Sequence, residues 1–501
     1  MLPRGTGHTV AFVTTRPTDA DVIVVGLGPG GEAVAEALAD AGRRVIGIDE
    51  RLVGGECPYY GCVPSKMVLR AAETLAEAGR VNTLAGHAST EPDYAPVAKR
   101  IRDEATDDWD DTVAVERFEG LGGTFVRGRG RLAGRDDDGR WRITVGGATY
   151  RVPDVVLATG TDPVVPPVDG LTELRARAEG PASPVWTNRE ALRSPTVPAT
   201  LAVLGGGPIG CELAQGFARF GTSVTVIQRA PRLLTREEPA ASAVVAEVFA
   251  REGIDVHFAT TLGRVEADDD GGVRLRVESV DGDGADPLGH GEAWVTADKL
   301  LVATGRQPKL AGLGLESAGL DSEVRSLDVD DAMRVLDAEG NPLGGLYAVG
   351  DITGRGPFTH VATWQARVLT GHLLDRRDPP FGGYHGLAWA TFTDPEVGRI
   401  GMTEAEARDA GLHVRTGRAE IASDIRGWIH GPGNDGFVQV VVDAATDTLV
   451  GATVVAPNGG EILGLLTLAV HARIPVATLA TMHYVFPTLH RTVLEAVDQL
   501  T

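Results

Sequence analysis

Cysteine is scarce in this chain: three in 501 residues, at Cys57, Cys62 and Cys211. So few exclude the disulfide framework of a small secreted domain, and a chain of this length can bury a large core without such staples. Long apolar runs are missing too. The run "ILGLLTLAV" stops at His471, short of the roughly 18 residues a spanning helix needs, and the first twenty residues lack the continuous apolar core of a signal peptide. Basic residues are outnumbered, 47 against 69 acidic ones, for a formal charge of −22. That balance argues against nucleic acid or an anionic membrane as partner. Much of the charge sits in "RDDDGR" and "ADDDGG", which read as solvated turns. A cytoplasmic protein is expected.

Glycine, by contrast, is abundant at 65 residues, and apolar residues make up 43%, a composition that suits an α/β protein with many tight strand-to-helix turns. The length suggests about three domains at ~150 residues each. Residues 1–20 show no periodic pattern and read as a flexible tail. From Asp21, "DVIVVGLGPGGEAVAEALADAGRRVIGIDE" reads as strand, glycine turn, helix, strand and acid. Gly26, Gly28 and Gly31 fit G-x-G-x-x-G, where missing side chains let the backbone approach a pyrophosphate at a helix N-terminus; Asp49, with Glu50 beside it, stands where an acid bonds a ribose hydroxyl.

The pattern recurs at "LAVLGGGPIGCELAQGFARFGTSVTVIQRAPRLL", with Gly205, Gly207 and Gly210. Two dinucleotide sites in one chain imply electron transfer between two cofactors. The second copy ends in Gln228 and Arg229, with Arg232 close by and no acid for a free 2′-hydroxyl. Arginine there suits a 2′-phosphate, so NADPH is favoured over NADH. Two similar strand-plus-turn segments end at Gly160 and Gly305, and a buried-looking strand runs into Gly350 and Asp351. From about Gly382 the pattern turns to alternating strands followed by two helices.

In "GGECPYYGCVPSK" the two cysteines lie five residues apart. Five residues of regular helix rise about 7.5 Å, too far for the Cα separation of a disulfide, so the helix is expected to be irregular at its start, where Pro58 fits a first turn. A helix N-terminus lowers a thiol's pKa and makes it nucleophilic. The pair reads as redox-active, whereas Cys211 reads as a small buried hydrophobe.

Together the two glycine motifs, the C-x₄-C with its trailing "VPSK", both "ATG" turns, "VGD" and "FTDPEVGRIGMTEAEA" resemble the pyridine nucleotide-disulfide oxidoreductases of the glutathione reductase, lipoamide dehydrogenase and mercuric reductase type. The resemblance runs from about residue 21 to the C-terminus. It implies an α/β fold of two Rossmann-like dinucleotide-binding domains plus a C-terminal α+β dimerisation domain. Residues 21–165 and 307–381 would bind FAD, 166–306 NADPH or NADH, and 382–501 would build a homodimer whose active site the partner chain completes. It further implies that Cys62 faces the flavin as a charge-transfer thiolate and that Cys57 attacks substrate. Lys66 and Glu212 would pair beside the flavin N5, and Asp351 would hold the ribityl chain.

One departure matters. The family's last motif is His-Pro-Thr with a glutamate following, a dyad that shuttles protons to the interchange thiol. Here "MHYVFPTLHRTVLEAV" places Phe486 where the histidine belongs and Arg491 where the glutamate belongs. Phenylalanine moves no proton, so the ordinary route to protonating a leaving thiolate is missing. Three accounts remain open. His490 or His483 takes over the acid-base role for a small disulfide or other thiol-reactive substrate. Alternatively the missing acid is itself functional, as in the similar branch represented by 2-ketopropyl-coenzyme M oxidoreductase/carboxylase, which cleaves a thioether reductively. In the third, electrons leave the flavin for a quinone. No metal site is expected, and a sequence ending at Thr501 without a further cysteine pair argues against mercuric ion as substrate. Trp428 and His430 are expected to pack against the dimer domain or to border the substrate channel, and Tyr59 and Tyr60 inside the cysteine loop to pack or to line the substrate side.

Overall fold

The structure, a computed structural model, describes residues 20–280, 293–375 and 383–500. Of the tail expected over 1–20, residues 1–19 lie outside the described residues, as does the boundary expected at 381/382, while Ala20 is buried. Strand β1 (Val22–Val25), helix α1 (Pro29–Asp40) and strand β2 (Val45–Asp49) form the first βαβ unit, with β1 and β2 parallel. The β-branched run Val-Ile-Val-Val is buried along its whole length, as the central strand of a sheet covered on both faces requires. At the turn, Gly26 has φ +93°, and a Cβ there would lie 2.4 Å from the Ala158 carbonyl oxygen. A Cβ on Gly31 would lie 1.9 Å from the Gly26 oxygen. The first glycine is therefore demanded by backbone conformation and the third by the seating of α1 on β1.

This unit belongs to a six-stranded sheet completed by strands Asp154–Leu157, Thr124–Arg127, Pro342–Ala348 and Arg334–Leu336. A three-stranded antiparallel sheet is attached over residues 131–152, and "RDDDGR" forms one of its exposed turns. The second unit repeats the plan. Its five parallel strands centre on Thr200–Leu204, Ser223–Ile227 and Lys299–Val302, and it too carries a three-stranded antiparallel sheet. The two similar segments after Gly160 and Gly305 pair with each other, Thr161–Pro163 antiparallel to Arg306–Pro308, so a short ribbon joins the two units.

The C-terminal part is a five-stranded antiparallel sheet with helices Gly459–His471 and His490–Asp498 packed on it and a short helix, Val476–Ala480, between them. There are thus three helices after the strands, where the sequence suggested two. Strand Phe437–Asp443 is buried at every residue rather than alternately. The physical reason is that both faces are covered: Val438 and Val440 pack against the helices, while Phe437 and Val455 join the core of the second unit with Leu213 and Phe217. Among the described residues no helix is long and apolar enough to cross a membrane.

Candidate active site

The cysteines sit at a break in a helix. Helix α2 (Glu56–Tyr60) ends at Gly61, whose backbone (φ −134°, ψ −117°) is not helical, and helix α3 (Cys62–Leu84) starts immediately after. This irregularity brings the thiols into hydrogen-bonding contact; both are free, Cys62 exposed and Cys57 half-buried. The hydrogen bond from Cys57 holds Cys62 down at about 6, helped against burial by Thr359 and the positive charge of Lys66. The same hydrogen bond, together with burial, drives Cys57 far up. When the pair is reduced, the negative charge therefore rests on Cys62. Its Sγ is 3.7 Å from Thr359 Oγ1, at the start of helix Thr359–Leu373.

Lys66 lies four residues beyond Cys62, on the same face of α3. Its Nζ is 2.8 Å from Glu212 Oε2 and 4.5 Å from the Phe392 ring centroid. Glu212 is buried, and its Oε1 accepts the Phe392 N–H at 2.9 Å. Helix Pro208–Arg219 can approach α3 this closely because Gly216 faces Val68, where a Cβ would already stand 3.0 Å from the valine methyl. Three parts of the chain thus converge on one ammonium. Cys211, next to Glu212, is fully buried and plays no part in the site.

Both glycine turns fit a dinucleotide pyrophosphate. No side chain caps either α1 or helix Pro208–Arg219, so their first N–H groups are free to receive an anion. At Gly28 a Cβ would meet nothing nearer than 4.0 Å, and at Gly207 nothing within 4 Å, so both second glycines face open space. Asp49 differs from expectation in one respect: its carboxylate turns back to accept the Leu27 and Arg51 N–H groups, each at 2.7 Å. Glu50, ion-paired with Lys309, joins it in lining a cleft with Gly26, Arg129 and Thr159. Asp351 Oδ2 accepts the Thr161 hydroxyl at 2.9 Å, and burial raises its pKa.

In the second unit Gln228 copies Asp49. Its Oε1 accepts the Gly206 N–H at 2.9 Å and its Nε2 donates to the Arg232 carbonyl. Arg232 corrects the sequence reading: its guanidinium turns inward to the Leu234, Thr235 and Glu237 carbonyls and the Ser242 hydroxyl, which the loop and the following helix gather around it. Arg229 is exposed and forms no ion pair among the described residues.

Phe486 is 61% exposed, with the Arg491 guanidinium 5.3 Å from its ring centroid. His490 begins the last helix half-buried and His483 is exposed. Among the described residues no hydrogen bond joins either histidine to the cysteines of the same chain. Trp428 does not pack as expected: it is 72% exposed, and Ile425 and Ile429 beside it are exposed as well. Tyr59 is buried, and its carbonyl accepts the Trp109 indole N–H at 3.2 Å. Sequence reasoning missed Glu56, Thr359, Phe392 and Lys309. For Phe392 a signal existed, since it opens the motif "FTDPEVGRIGMTEAEA".

Residues 20–366 match the pyridine nucleotide-disulphide oxidoreductase family, and residues 387–497 match that family's dimerisation domain. A dihydrolipoyl dehydrogenase of Haloferax volcanii is 32% identical over 491 residues, covering 96% of each chain. A mercuric reductase of Streptomyces lividans is 31% identical over 480 residues, covering 94% of each. Among solved structures, LpdA from Mycobacterium tuberculosis superposes with a TM-score of 0.79 at 26% identity, over 96% of this chain and 100% of that one. With both nucleotide cradles, the cysteine pair and the dimerisation fold in place, the chain belongs to the pyridine nucleotide-disulphide oxidoreductase family and is an FAD-dependent oxidoreductase of pyridine nucleotides.

Proposed function

We propose that the protein oxidises NADPH and reduces a small disulfide or similarly thiol-reactive substrate through Cys57 and Cys62. The observation that carries this reading is the asymmetric thiol pair, Cys62 held low and Cys57 driven up, one helical turn from the Lys66–Glu212 ion pair. Residues 21–165 with 307–381 hold FAD, 166–306 hold the nicotinamide nucleotide, and 382–501 hold the dimer together. FAD held there would supply the chemistry of accepting a hydride from the nicotinamide and returning two electrons to the Cys57–Cys62 disulfide. Gly26, Gly28 and the uncapped α1 receive its pyrophosphate, Glu50 and Asp351 its hydroxyls. Lys66 places a fixed positive charge where the reduced cofactor is anionic. Arg229 receives the 2′-phosphate of NADPH, a preference supported by the lack of any acid at Gln228.

At the substrate, the Cys57 thiol loses its proton and its sulfur attacks one sulfur of the disulfide. A mixed disulfide forms, and the first substrate thiolate leaves and takes up a proton. The Cys62 thiolate then attacks Cys57, expels the second thiolate and restores the Cys57–Cys62 bond. The two protons pass through His490, the half-buried histidine at the start of the last helix, since Phe486 cannot carry them. The exposed Phe486 favours a second reading, reductive thioether cleavage in which protonation is suppressed. Cys57→Ser separates the cysteine route from direct electron transfer. The variant should lose NADPH-dependent reduction of a small aromatic disulfide by at least about 10³-fold and keep ferricyanide reduction. Equal disulfide turnover in variant and wild type would overturn the proposal.

A further inference from the structure

Glu56, the residue before the first cysteine, is tied down more heavily than any turn residue needs to be. Its Oε1 accepts Arg189 Nε at 2.6 Å, while its Oε2 lies 3.2 Å from Asn188 Nδ2 and 3.2 Å from an Arg306 nitrogen. Asn188 Nδ2 also donates to the Tyr60 carbonyl at 2.6 Å. One side chain therefore grips both ends of the single turn that carries Cys57. Helix Asn188–Arg193, which supplies the grip, is fixed in turn by a complete capping box between Thr187 and Glu190.

The clamp extends outward. Arg189 and Arg51 both bond Asp162 Oδ1, at 2.8 and 2.7 Å, and Arg306 Nε donates to Thr161 Oγ1, whose hydroxyl reaches Asp351. Three arginines thus face two carboxylates, Glu56 on α2 and Asp162 on the ribbon that joins the two nucleotide units. The Arg189 and Glu56 side chains are only 19% and 28% exposed, so solvent weakens this pairing less than it would a surface pair.

We infer that Glu56 is a positioning residue that sets the redox balance of the Cys57–Cys62 pair; the inference rests on the reading of that pair as redox-active. Holding α2 rigid keeps the two sulfurs near bonding geometry in the reduced state, which raises their effective concentration and favours the disulfide. Removing Glu56 loosens the turn and leaves three arginines facing a single carboxylate. The surplus positive charge stabilises the Cys62 thiolate, which exists only in the reduced form. Both effects make the pair easier to reduce.

The test equilibrates the purified holoenzyme with dithiothreitol buffers, in which one dithiothreitol is oxidised to its cyclic disulfide for each Cys57–Cys62 bond reduced. The free thiols are then alkylated and read by mass spectrometry. Glu56→Ala should shift the equilibrium toward the dithiol about tenfold, equal to about 30 mV for this two-electron couple. Glu56→Gln, which keeps the side-chain length and one acceptor but loses the charge and the second acceptor, should shift it about threefold, and the pH midpoint of Cys62 alkylation should fall in both. Arg189→Lys keeps the charge and loses the planar fork; it should shift the equilibrium in the same direction and decides the matter if Glu56→Ala does not fold. Equilibria within twofold of wild type in Glu56→Gln and Arg189→Lys would overturn the inference while leaving the functional reading intact. A wild type whose two cysteines do not titrate together would overturn that reading instead.

Discussion

Lys66 Nζ stands 2.8 Å from Glu212 Oε2, a contact between the redox helix and the second nucleotide unit. The second Glu212 oxygen takes the Phe392 N–H, so one buried carboxylate fixes the cation and the C-terminal sheet together. Glu212→Gln keeps an acceptor for Phe392 but loses the charge and turns an amide N–H toward the Lys66 ammonium. It should cost about 1 kcal/mol, because Lys66 is partly solvated. Glu212→Ala also strands the buried N–H and should cost about 2–3 kcal/mol. Urea unfolding of the two variants checks the order; equal losses would contradict it.

Cys62 should stay ionised in the reduced enzyme down to about pH 6, for the hydrogen bond from Cys57, Thr359 and Lys66 all favour its thiolate. An unperturbed thiol ionises near 8.5. Iodoacetamide labelling of Cys62 should therefore show a midpoint near the lower value, and Lys66→Met should raise it. Since the folded pKa is depressed, the associated stability is present above the unfolded value and is lost as pH falls through about 6. Thermal unfolding of the reduced enzyme should become easier across that window.

How much of this was legible in the sequence depends on the reach of the interactions. The glycine motifs, the four-residue step from Cys62 to Lys66 and the irregular helix start are local consequences of backbone sterics, and each was readable from spacing. Glu56 was not, because its arginine partner is 133 residues away and enters only through the fold. Arg232 misled for the opposite reason: an arginine near a strand end looks available until the loop's own carbonyls claim it. The continuous burial of Phe437–Asp443 likewise depends on a second covering face that no periodicity in the strand records.

In the proposed function Arg229 is the residue that favours NADPH over NADH. Hydrogen bonds to charged groups contribute about 1.5–3 kcal/mol, so Arg229→Ala should raise KM for NADPH roughly ten- to hundredfold and leave KM for NADH nearly unchanged. Arg232→Ala should lower stability without altering the NADPH-to-NADH ratio. Steady-state kinetics with both nucleotides distinguishes the two arginines.

The acid-base question turns on Phe486 and His490. His490→Ala should slow disulfide reduction about 10²-fold, and Phe486→His should bring no large gain. If Phe486→His instead confers brisk disulfide reductase activity, the ordinary acid has been suppressed rather than moved, and thioether cleavage becomes the better reading.

The central claim, that electrons pass through Cys57 and Cys62, is tested most directly by anaerobic titration of the holoenzyme with NADPH and, separately, NADH, following absorbance from the flavin bands to long wavelength. The account predicts a long-wavelength band from the Cys62 thiolate, complete after two electrons and reached more readily with NADPH. Direct bleaching of the flavin with no such band would contradict it and point to a quinone-type acceptor.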